Sequence, residues 1–382
     1  MELWYNVFMI KRIYDLHKLV KKGKVLIIYG PRRAGKTTLL DDFLKKDGGR
    51  HKLVSGDDIK VREILSSQEI REICEYAGGY EIFAVDEAQQ IENIGLALKI
   101  LVDNLNDLIV VVTGSSSFEI VQKTGEPLTG RKRTLILYPF SQKELLSLWN
   151  VSELKEKLEE FLIFGSYPEV VMAKTKKEKI EILEELANSY LLKDILSFEK
   201  IKSSKILIDL LRLLAFQIGS LVSLNELSGN LKIDVKTVGR YLDLLEKNFV
   251  IKKVGGFSRN LRSEISSKCK YYFVDNGIRN AVIAQYQNLK LRNDIGGLWE
   301  NFFVVEKMKK AAFDRIMPVN FYFWRTYGGK EIDLIEEMSG KVSAYEIKWG
   351  VSKHKFPKDW KENYKNAKNF LISKDNYLKF LL

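Results

Sequence analysis

Lys24-Val25-Leu26-Ile27-Ile28-Tyr29-Gly30-Pro31-Arg32-Arg33-Ala34-Gly35-Lys36-Thr37-Thr38-Leu39-Leu40 decides how the first part of this chain folds. Residues 24–29 form a short apolar run that reads as a strand, and Thr38-Leu39-Leu40 opens an amphipathic helical pattern. Between them, Gly30 to Thr37 fits G-x-x-x-x-G-K-[ST] in the strand–loop–helix context that the motif requires. Successive backbone N–H groups at a helix N-terminus cradle phosphate, Lys36 reaches the outer phosphates, and the Thr37 hydroxyl is a Mg²⁺ ligand. Gly30, Pro31, Arg32, Arg33, Ala34, Gly35, Lys36, Thr37 and Thr38 are therefore the expected phosphate-binding residues. The alternative for this stretch alone is a Gly-rich turn.

A second element weighs against that alternative. Glu81-Ile82-Phe83-Ala84-Val85 reads as a buried strand of a parallel sheet and ends in Asp86-Glu87. An acidic pair at the end of an apolar strand is costly without a task. With ATP and Mg²⁺ as the cofactors, Asp86 holds the metal beside Thr37 and Glu87 polarises the attacking water. Leu108-Ile109-Val110-Val111-Val112-Thr113-Gly114 is another buried strand, followed by Ser115-Ser116-Ser117. Ser115 and Ser116 are the candidates for a polar side chain between the γ-phosphate and Glu87, the sensor 1 position of AAA+ ATPases; the alternative is a helix cap. Arg131, in Thr129-Gly130-Arg131-Lys132-Arg133 before the strand 134–137, is either an arginine finger, in cis or from a neighbouring subunit of a homo-oligomer, or part of a surface basic cluster.

The 382 residues exceed one ordinary core, and no linker-like tract, low-complexity segment or repeat divides them. Two cysteines without metal-ligand spacing and three histidines make a zinc site or a His-based triad a poor fit. No apolar run reaches the roughly 20 residues of a membrane helix, so a soluble, cytoplasmic protein without a membrane partner is expected. Residues 1–200 carry 30 Lys+Arg against 31 Asp+Glu, whereas residues 201–382 carry 32 against 19. A polyanion would bind the second half. High lysine content is also common on solvated faces.

Residues 161–199 are helical in pattern, a lid or connector. Three helical stretches follow, 206–218, 224–230 and 235–246, then a strand and wing over Phe249-Val250-Ile251-Lys252-Lys253-Val254-Gly255-Gly256. This is the layout of a winged helix-turn-helix, in which the second helix enters the DNA major groove. Lys236, Thr237, Arg240, Lys252 and Lys253 are the expected nucleic-acid contacts; a protein-contact module is the alternative. Near the C-terminus, an apolar helix carries Glu300, and the strands 330–335 and 342–348 carry Asp333, Glu346 and Lys348. Asp followed by Glu-x-Lys on the next strand is the PD-(D/E)xK nuclease arrangement. Asp333, Glu346 and Glu300 then bind Mg²⁺, and Lys348 positions water or stabilises phosphorane charge. Ordinary charges on a half-exposed strand give the same spacing.

Taken together, the chain resembles a widespread archaeal and bacterial ATPase family related to the AAA+ and STAND groups. The marks are residues 30–37, Val85-Asp86-Glu87-Ala88-Gln89, Thr113-Gly114-Ser115-Ser116, Gly130-Arg131 before Tyr138-Pro139-Phe140-Ser141, and Gly165-Ser166-Tyr167-Pro168-Glu169. Further marks are the run 272–279, Trp299-Glu300-Asn301 and Phe323-Trp324-Arg325. The resemblance implies an α/β chain with a P-loop AAA-like parallel sheet and helices on both faces (1–145), then a helical lid (146–204). An all-α winged helix (205–258) and a small α/β restriction-endonuclease-like domain (259–382) complete it. Two functions are consistent with these parts. One is a Mg·ATP-hydrolysing ATPase that interacts with DNA through residues 201–382 and carries a nuclease-like end domain. The other is a STAND-like ATP switch whose end domain is a scaffold.

Overall fold

The computed structural model describes residues 10–115, 128–190, 204–258, 269–314, 318–326, 328–350 and 354–382. The chain forms two compact units, one built on Lys11–Pro139 and the other on Phe140–Glu246 and Val250–Leu382.

Among its described residues the first unit holds five strands: β1 (Val25–Tyr29), β2 (His51–Ser55), β3 (Ile82–Asp86), β4 (Ile109–Gly114) and β5 (Lys132–Ile136). They lie in the order β2-β3-β4-β1-β5, and every neighbouring pair is parallel. Successive strand residues point to opposite faces, and the sequence is apolar at nearly every central position, so both faces are covered. Val25, Ile27, Phe83, Val85, Val110 and Val112 pack with α2 (Ile59–Ser66), α3 (Ile70–Ala77) and α4 (Ile94–Asn104). Leu26, Ile28, Ile82, Ala84 and Val111 pack with Leu39, Leu40, Phe43 and Leu44 of α1 (Lys36–Asp47) on the other side. The helices on both faces are those expected from the continuous apolar runs. β4 lies between the strand that precedes the loop of 30–35 and the strand that ends in Asp86, so its tip falls between the two.

The second unit is organised around a sheet in the order β12-β11-β10-β9-β7-β8-β6. Its strands are β6 (Leu221–Val222), β7 (Ile251–Gly256), β8 (Cys269–Phe273), β9 (Val319–Arg325), β10 (Glu331–Met338), β11 (Lys341–Ile347) and β12 (Lys368–Ile372). The helices include α5 (Leu158–Phe164), α6 (Lys176–Glu185), α7 (Ser204–Phe216), α8 (Leu224–Leu231), α9 (Val235–Lys247), α10 (Asn276–Val282), α11 (Ile295–Asp314) and α12 (Lys358–Asn363). The helical stretches 206–218, 224–230 and 235–246 correspond to α7, α8 and α9, and they bring three strands with them. β7 pairs antiparallel with β8 and parallel with β9, Gly255 opposite Tyr322 and Gly256 opposite Phe323. The sheet therefore runs through the sequence boundary drawn at 258/259. One apolar core likewise collects Leu162 of α5, Leu211 of α7, Leu245 of α9, Phe303 of α11 and Tyr345 of β11.

Hydrogen bonds inside this unit account for three of the sequence marks. Asp275 caps α10 through the N–H groups of Gly277 and Ile278 and also accepts from Ser166 N–H at 2.7 Å. A Cβ at Gly165 would stand 1.8 Å from Asp275 Oδ1, and the residue has φ +72, so only glycine fits there. Asn301 of α11 accepts from Phe273 N–H at 2.8 Å and donates to Phe273 O at 2.9 Å and to Asn276 at 2.7 Å. Gly165-Ser166, Asp275-Asn276 and Asn301 thus form one buried polar joint among α5, α10 and α11. Each member would cost about 1–3 kcal/mol if left unpaired.

Candidate functional site

The first unit gathers its polar groups at the carboxyl end of the parallel strands, where open α/β sheets place ligands. Gly30 follows β1 directly, and a Cβ there would lie 2.1 Å from Leu137 O, so the loop turns away only through glycine. Gly35, at φ +88, ends the loop and is the N-cap of α1, so the first N–H groups of the helix are free of side-chain caps. Lys36 is 5% exposed and donates to Gly30 O at 3.1 Å and Pro31 O at 2.9 Å, which folds its ammonium back across the loop. Arg12, from the segment before β1, donates to Tyr138 O at 2.7 Å and also to Ala34 O, bracing the loop from outside.

Thr37 Oγ1 donates to Asp86 Oδ2 at 2.9 Å, which joins the two motifs that lie 49 residues apart. Thr113 Oγ1 donates to the other Asp86 oxygen and accepts from Glu87 N–H at 3.2 Å. Glu87 has φ 49, in the left-handed region, and its Oε2 accepts from Gln89 Nε2. Asp41, one turn after Thr37 on α1, shares the helix face. Burial raises its pKa above the usual carboxylate value, Lys45 opposes the rise and Asp86 adds to it. Three acids therefore converge with hydroxyl and amide partners, and neither Asp86 nor Glu87 makes an ion pair with a described residue. Such a donor set fits a divalent cation: oxygen ligands with uncompensated negative charge.

Ser115 follows Gly114, the register partner of Tyr29, so it stands beside Gly30. Its hydroxyl is buried without a hydrogen-bond partner among the described residues. Ser116 lies outside them. Arg131 is not brought to this edge. Its carbonyl accepts from Val25 N–H at 2.8 Å at the amino end of β1, and its guanidinium pairs with Asp103 at 2.6 Å. In cis it lies at the opposite end of the sheet from the loop, because parallel strands put every residue that precedes a strand at the amino edge. Thr113, Gln89, Asp41 and Arg12 were missed in sequence. The available signals were a hydroxyl within an apolar strand, a glutamine directly after the acidic pair, and the i, i+4 spacing of Asp41 from Thr37.

In the second unit, Glu300, Asp333, Glu346 and Lys348 do come together. A register shift between Ile332 and Ile335 re-aims the middle of β10 and turns Asp333 inward, 8% exposed. Asp333 Oδ2 accepts from Ile347 N–H at 2.7 Å and from Lys348 Nζ at 3.5 Å. Lys348 also pairs with Glu346 at 2.7 Å. The unanticipated member is Lys270 of β8, 1% exposed, with its ammonium 2.8 Å from Glu300 and 2.6 Å from Glu331. Tyr272 OH adds a bond to Glu300 at 2.7 Å. Burial alone would lower the pKa of Lys270, but Glu300, Glu331 and Asp333 outweigh it and hold it charged. Burial pushes Glu300 up to about 7, opposed by Lys270 and aided by Asp333. Glu346 is pushed up to about 6 by burial and by Asp333, against Lys348.

This cluster does not fit a resident Mg²⁺. Two lysines already supply the positive charge, and Glu346 Oε2 is the single carboxylate oxygen of the set left buried without a partner, where Mg²⁺ requires an octahedron. Glu300, Asp333 and Glu346, the expected metal set, each lie in an ion pair here.

On α9, Lys236 and Arg240 are exposed, whereas Thr237 is engaged with Asp234 through both its N–H and its hydroxyl. Lys252 and Lys253 lie within β7, opposite Tyr272 and Tyr271, and not in a wing turn. Burial lowers the pKa of Lys252, and its ammonium is 4.0 Å from Glu246. The residues between β7 and β8 are 257–268, of which 259–268 lie outside the described residues.

The strand order, the loop of 30–37 and the acids at the β3 tip define the first unit as an AAA-type P-loop NTPase domain, an ATP-binding fold. In agreement, residues 22–146 match the model of an AAA domain. Residues 155–291 and 295–378 match two domains of unknown function, DUF8612 and DUF4143. An uncharacterized protein of Haemophilus influenzae is 26% identical over 377 residues, covering 94% of this chain and 88% of its own. One of Methanocaldococcus jannaschii is 24% identical over 322 residues, covering 78% and 69%. A solved Walker-type ATPase of Pyrococcus abyssi is similar over 68% of this chain and 91% of its own, at 18% identity and TM-score 0.46. No helix among the described residues is long and apolar enough to cross a membrane.

Proposed function

We propose that this chain hydrolyses Mg·ATP in its first unit. The observation that carries the reading is the 2.9 Å bond from Thr37 to Asp86, which joins the phosphate loop to the acid strand. The N–H groups at the start of α1 and the Lys36 ammonium bind the β and γ phosphates. Thr37 and Asp86 would hold Mg²⁺, which when bound neutralises phosphate charge. Glu87 accepts the proton of a water whose oxygen bonds to the γ-phosphorus; the bridging P–O bond breaks, and ADP and phosphate leave. The Ser115 hydroxyl, buried at the β4 tip, is the group that senses the γ-phosphate. The test is ATP turnover and ATP binding measured on the same samples. Lys36→Ala should weaken nucleotide binding, whereas Glu87→Gln should bind ATP and fail to turn it over. Equal turnover in Glu87→Gln and the unaltered protein would overturn the assignment of the base.

The DNA part of the reading rests on the second half of the chain, with 32 Lys+Arg against 19 Asp+Glu, and on the order α8, turn, α9, β7 of a winged helix. Lys236 and Arg240 are its phosphate or base contacts. For the end domain a specific observation favours the second reading, a nuclease-like scaffold that does not cut. Lys270 and Lys348 compensate the acids that a nuclease would offer to a metal. Cleavage of labelled single- and double-stranded DNA with Mg²⁺ or Mn²⁺ should therefore be absent, or equal in the unaltered protein and Asp333→Ala. Cleavage lost only in Asp333→Ala would restore the nuclease reading.

A further inference from the structure

Gln89 is 2% exposed and bonds with both ends of its carboxamide. Nε2 donates to Glu87 Oε2, and Oε1 accepts from Ser115 N–H at 3.3 Å. Glu87 sits in the left-handed region at φ 49, a conformation that a residue with a Cβ keeps only when its surroundings hold it. The backbone N–H of Glu87 is held by Thr113 at 3.2 Å, and its carboxylate is held by Gln89. Ser115 in turn follows Gly114, which lies opposite Tyr29, so the far end of Gln89 is fastened beside the first residue of the phosphate loop.

We propose that Gln89 is a positioning residue for hydrolysis, one that ties the Glu87 carboxylate to the β4 tip and so aims the base only while that tip holds its place beside the loop. This rests on the reading of Glu87 as the base. The chemistry singles out glutamine: its amide donates to a carboxylate at one end and accepts from a backbone N–H at the other. Glutamate has the same shape but only accepts, and it would set a like charge against Glu87. Asparagine is one methylene short of spanning both partners. An inert core residue needs neither bond.

The test uses the full chain and its Gln89→Ala, Gln89→Glu, Glu87→Gln and Glu87→Gln/Gln89→Ala variants. Turnover is measured with saturating Mg·ATP, and binding with a fluorescent ATP analogue. Gln89→Ala and Gln89→Glu should each lower kcat by about 10²-fold, the scale of a misplaced reacting group. The dissociation constant for the analogue should stay within about threefold, because a purely transition-state interaction leaves binding intact. In single turnover, the double variant should be no slower than Glu87→Gln, since a residue acting through Glu87 has nothing left to position. Three results would overturn the proposal: kcat unchanged in Gln89→Ala; kcat and binding falling together in both Gln89 variants, as for a packing defect; or a double variant slower than Glu87→Gln by the full Gln89→Ala factor. Gln89→Glu, close to isosteric, keeps the test readable if Gln89→Ala folds poorly. Wild-type turnover in Glu87→Gln would defeat the base reading itself, whereas an inactive Glu87→Gln with normal Gln89 variants would defeat only this proposal.

Discussion

Asp86 in the first unit accepts hydrogen bonds from two hydroxyls, Thr37 and Thr113, whereas Glu300 in the second accepts them from a tyrosine hydroxyl and an ammonium, Lys270. Both are acids inside folded units, and the sequence marked both as metal ligands. The difference is in the kind of partner. Around Asp86, the neighbouring acids Asp41 and Glu87 add negative charge, and hydroxyl and amide dipoles hold the Asp86 and Glu87 carboxylates. Around Glu300, Lys270 of β8 and Lys348 after β11 offset part of the negative charge of Glu300, Glu331, Asp333 and Glu346. An acid held by dipoles has use for a cation from solution, and an acid held by lysines does not.

The sharpest way to break this comparison is at the first site. If its uncompensated acids serve chemistry, Glu87→Gln should lower ATP turnover by about 10²–10⁴-fold, the range for loss of a general base. Stability should barely move, because the amide keeps the shape and the Gln89 contact. A large stability change with unaltered turnover would mean that Glu87 is a structural turn residue.

At the second site the effect should fall on stability. Lys270→Met leaves Glu300 without its buried ammonium, while Glu331 keeps Arg325, and breaking a buried pair on one side costs about 3–5 kcal/mol. The urea midpoint of the second unit should drop accordingly. A double variant, Lys270→Met with Glu300→Gln, should recover part of the loss, because the orphaned charge is gone. If Lys270→Met were neutral, the claim that lysine takes the place of a metal here would have to go.

A pH series tests the same cluster more gently. Burial pushes Glu300 up to about 7 and Glu346 up to about 6, both from 4.5. An acid whose folded pKa is raised contributes stability that is complete below the unfolded pKa and is lost as pH rises through the folded value. The second unit should accordingly weaken from pH 5 to pH 8. Glu300→Gln should remove about 2 kcal/mol of that loss, most of it between about pH 5 and pH 7, the window between the unfolded and folded values. A flat profile in the unaltered protein would mean that Lys270 keeps Glu300 ionised throughout.

Much of the first unit is legible in sequence because its signals are local. An apolar strand, a glycine-rich loop and a helix stand in consecutive residues, and Asp86-Glu87 closes a strand by itself. β2 escapes the pattern because His51-Lys52-Leu53-Val54-Ser55 sits at the sheet edge and needs only one buried position, Val54. In the second unit the spacing of Asp333, Glu346 and Lys348 is readable, and so is their proximity. What they do is set by Lys270, 30 residues before Glu300 and on a strand that no local pattern announces. Charge compensation is a property of three-dimensional neighbours, so a motif of acids on adjacent strands reads the same with or without it. Gly165, Asp275 and Asn301 show the same limit: marks of a family in sequence, they prove to be partners in one hydrogen-bonded joint.

The smallest expected effect concerns the surface, where the two halves of the sequence differ in sign. Residues 201–382 hold an excess of 13 positive charges and residues 1–200 an excess of one negative charge. Only side chains that reach solvent count toward phosphate binding. Lys252 is withdrawn into β7 beside Glu246, and Thr237 is tied to Asp234 through its N–H and hydroxyl, so the contact set on α9 reduces to Lys236 and Arg240. Each phosphate contact releases roughly one counterion, and the logarithm of affinity falls with the logarithm of salt by about 0.9 per contact on duplex DNA. The double variant Lys236→Ala/Arg240→Ala should therefore flatten that slope by about two units. Lys252→Ala and Thr237→Ala should leave it unchanged. The measurement is duplex binding by fluorescence anisotropy across a salt series, with the full chain throughout. An unchanged slope in the double variant, with binding otherwise intact, would move the DNA surface off α9; absence of binding at low salt would leave α7 to α9 as a protein-contact module.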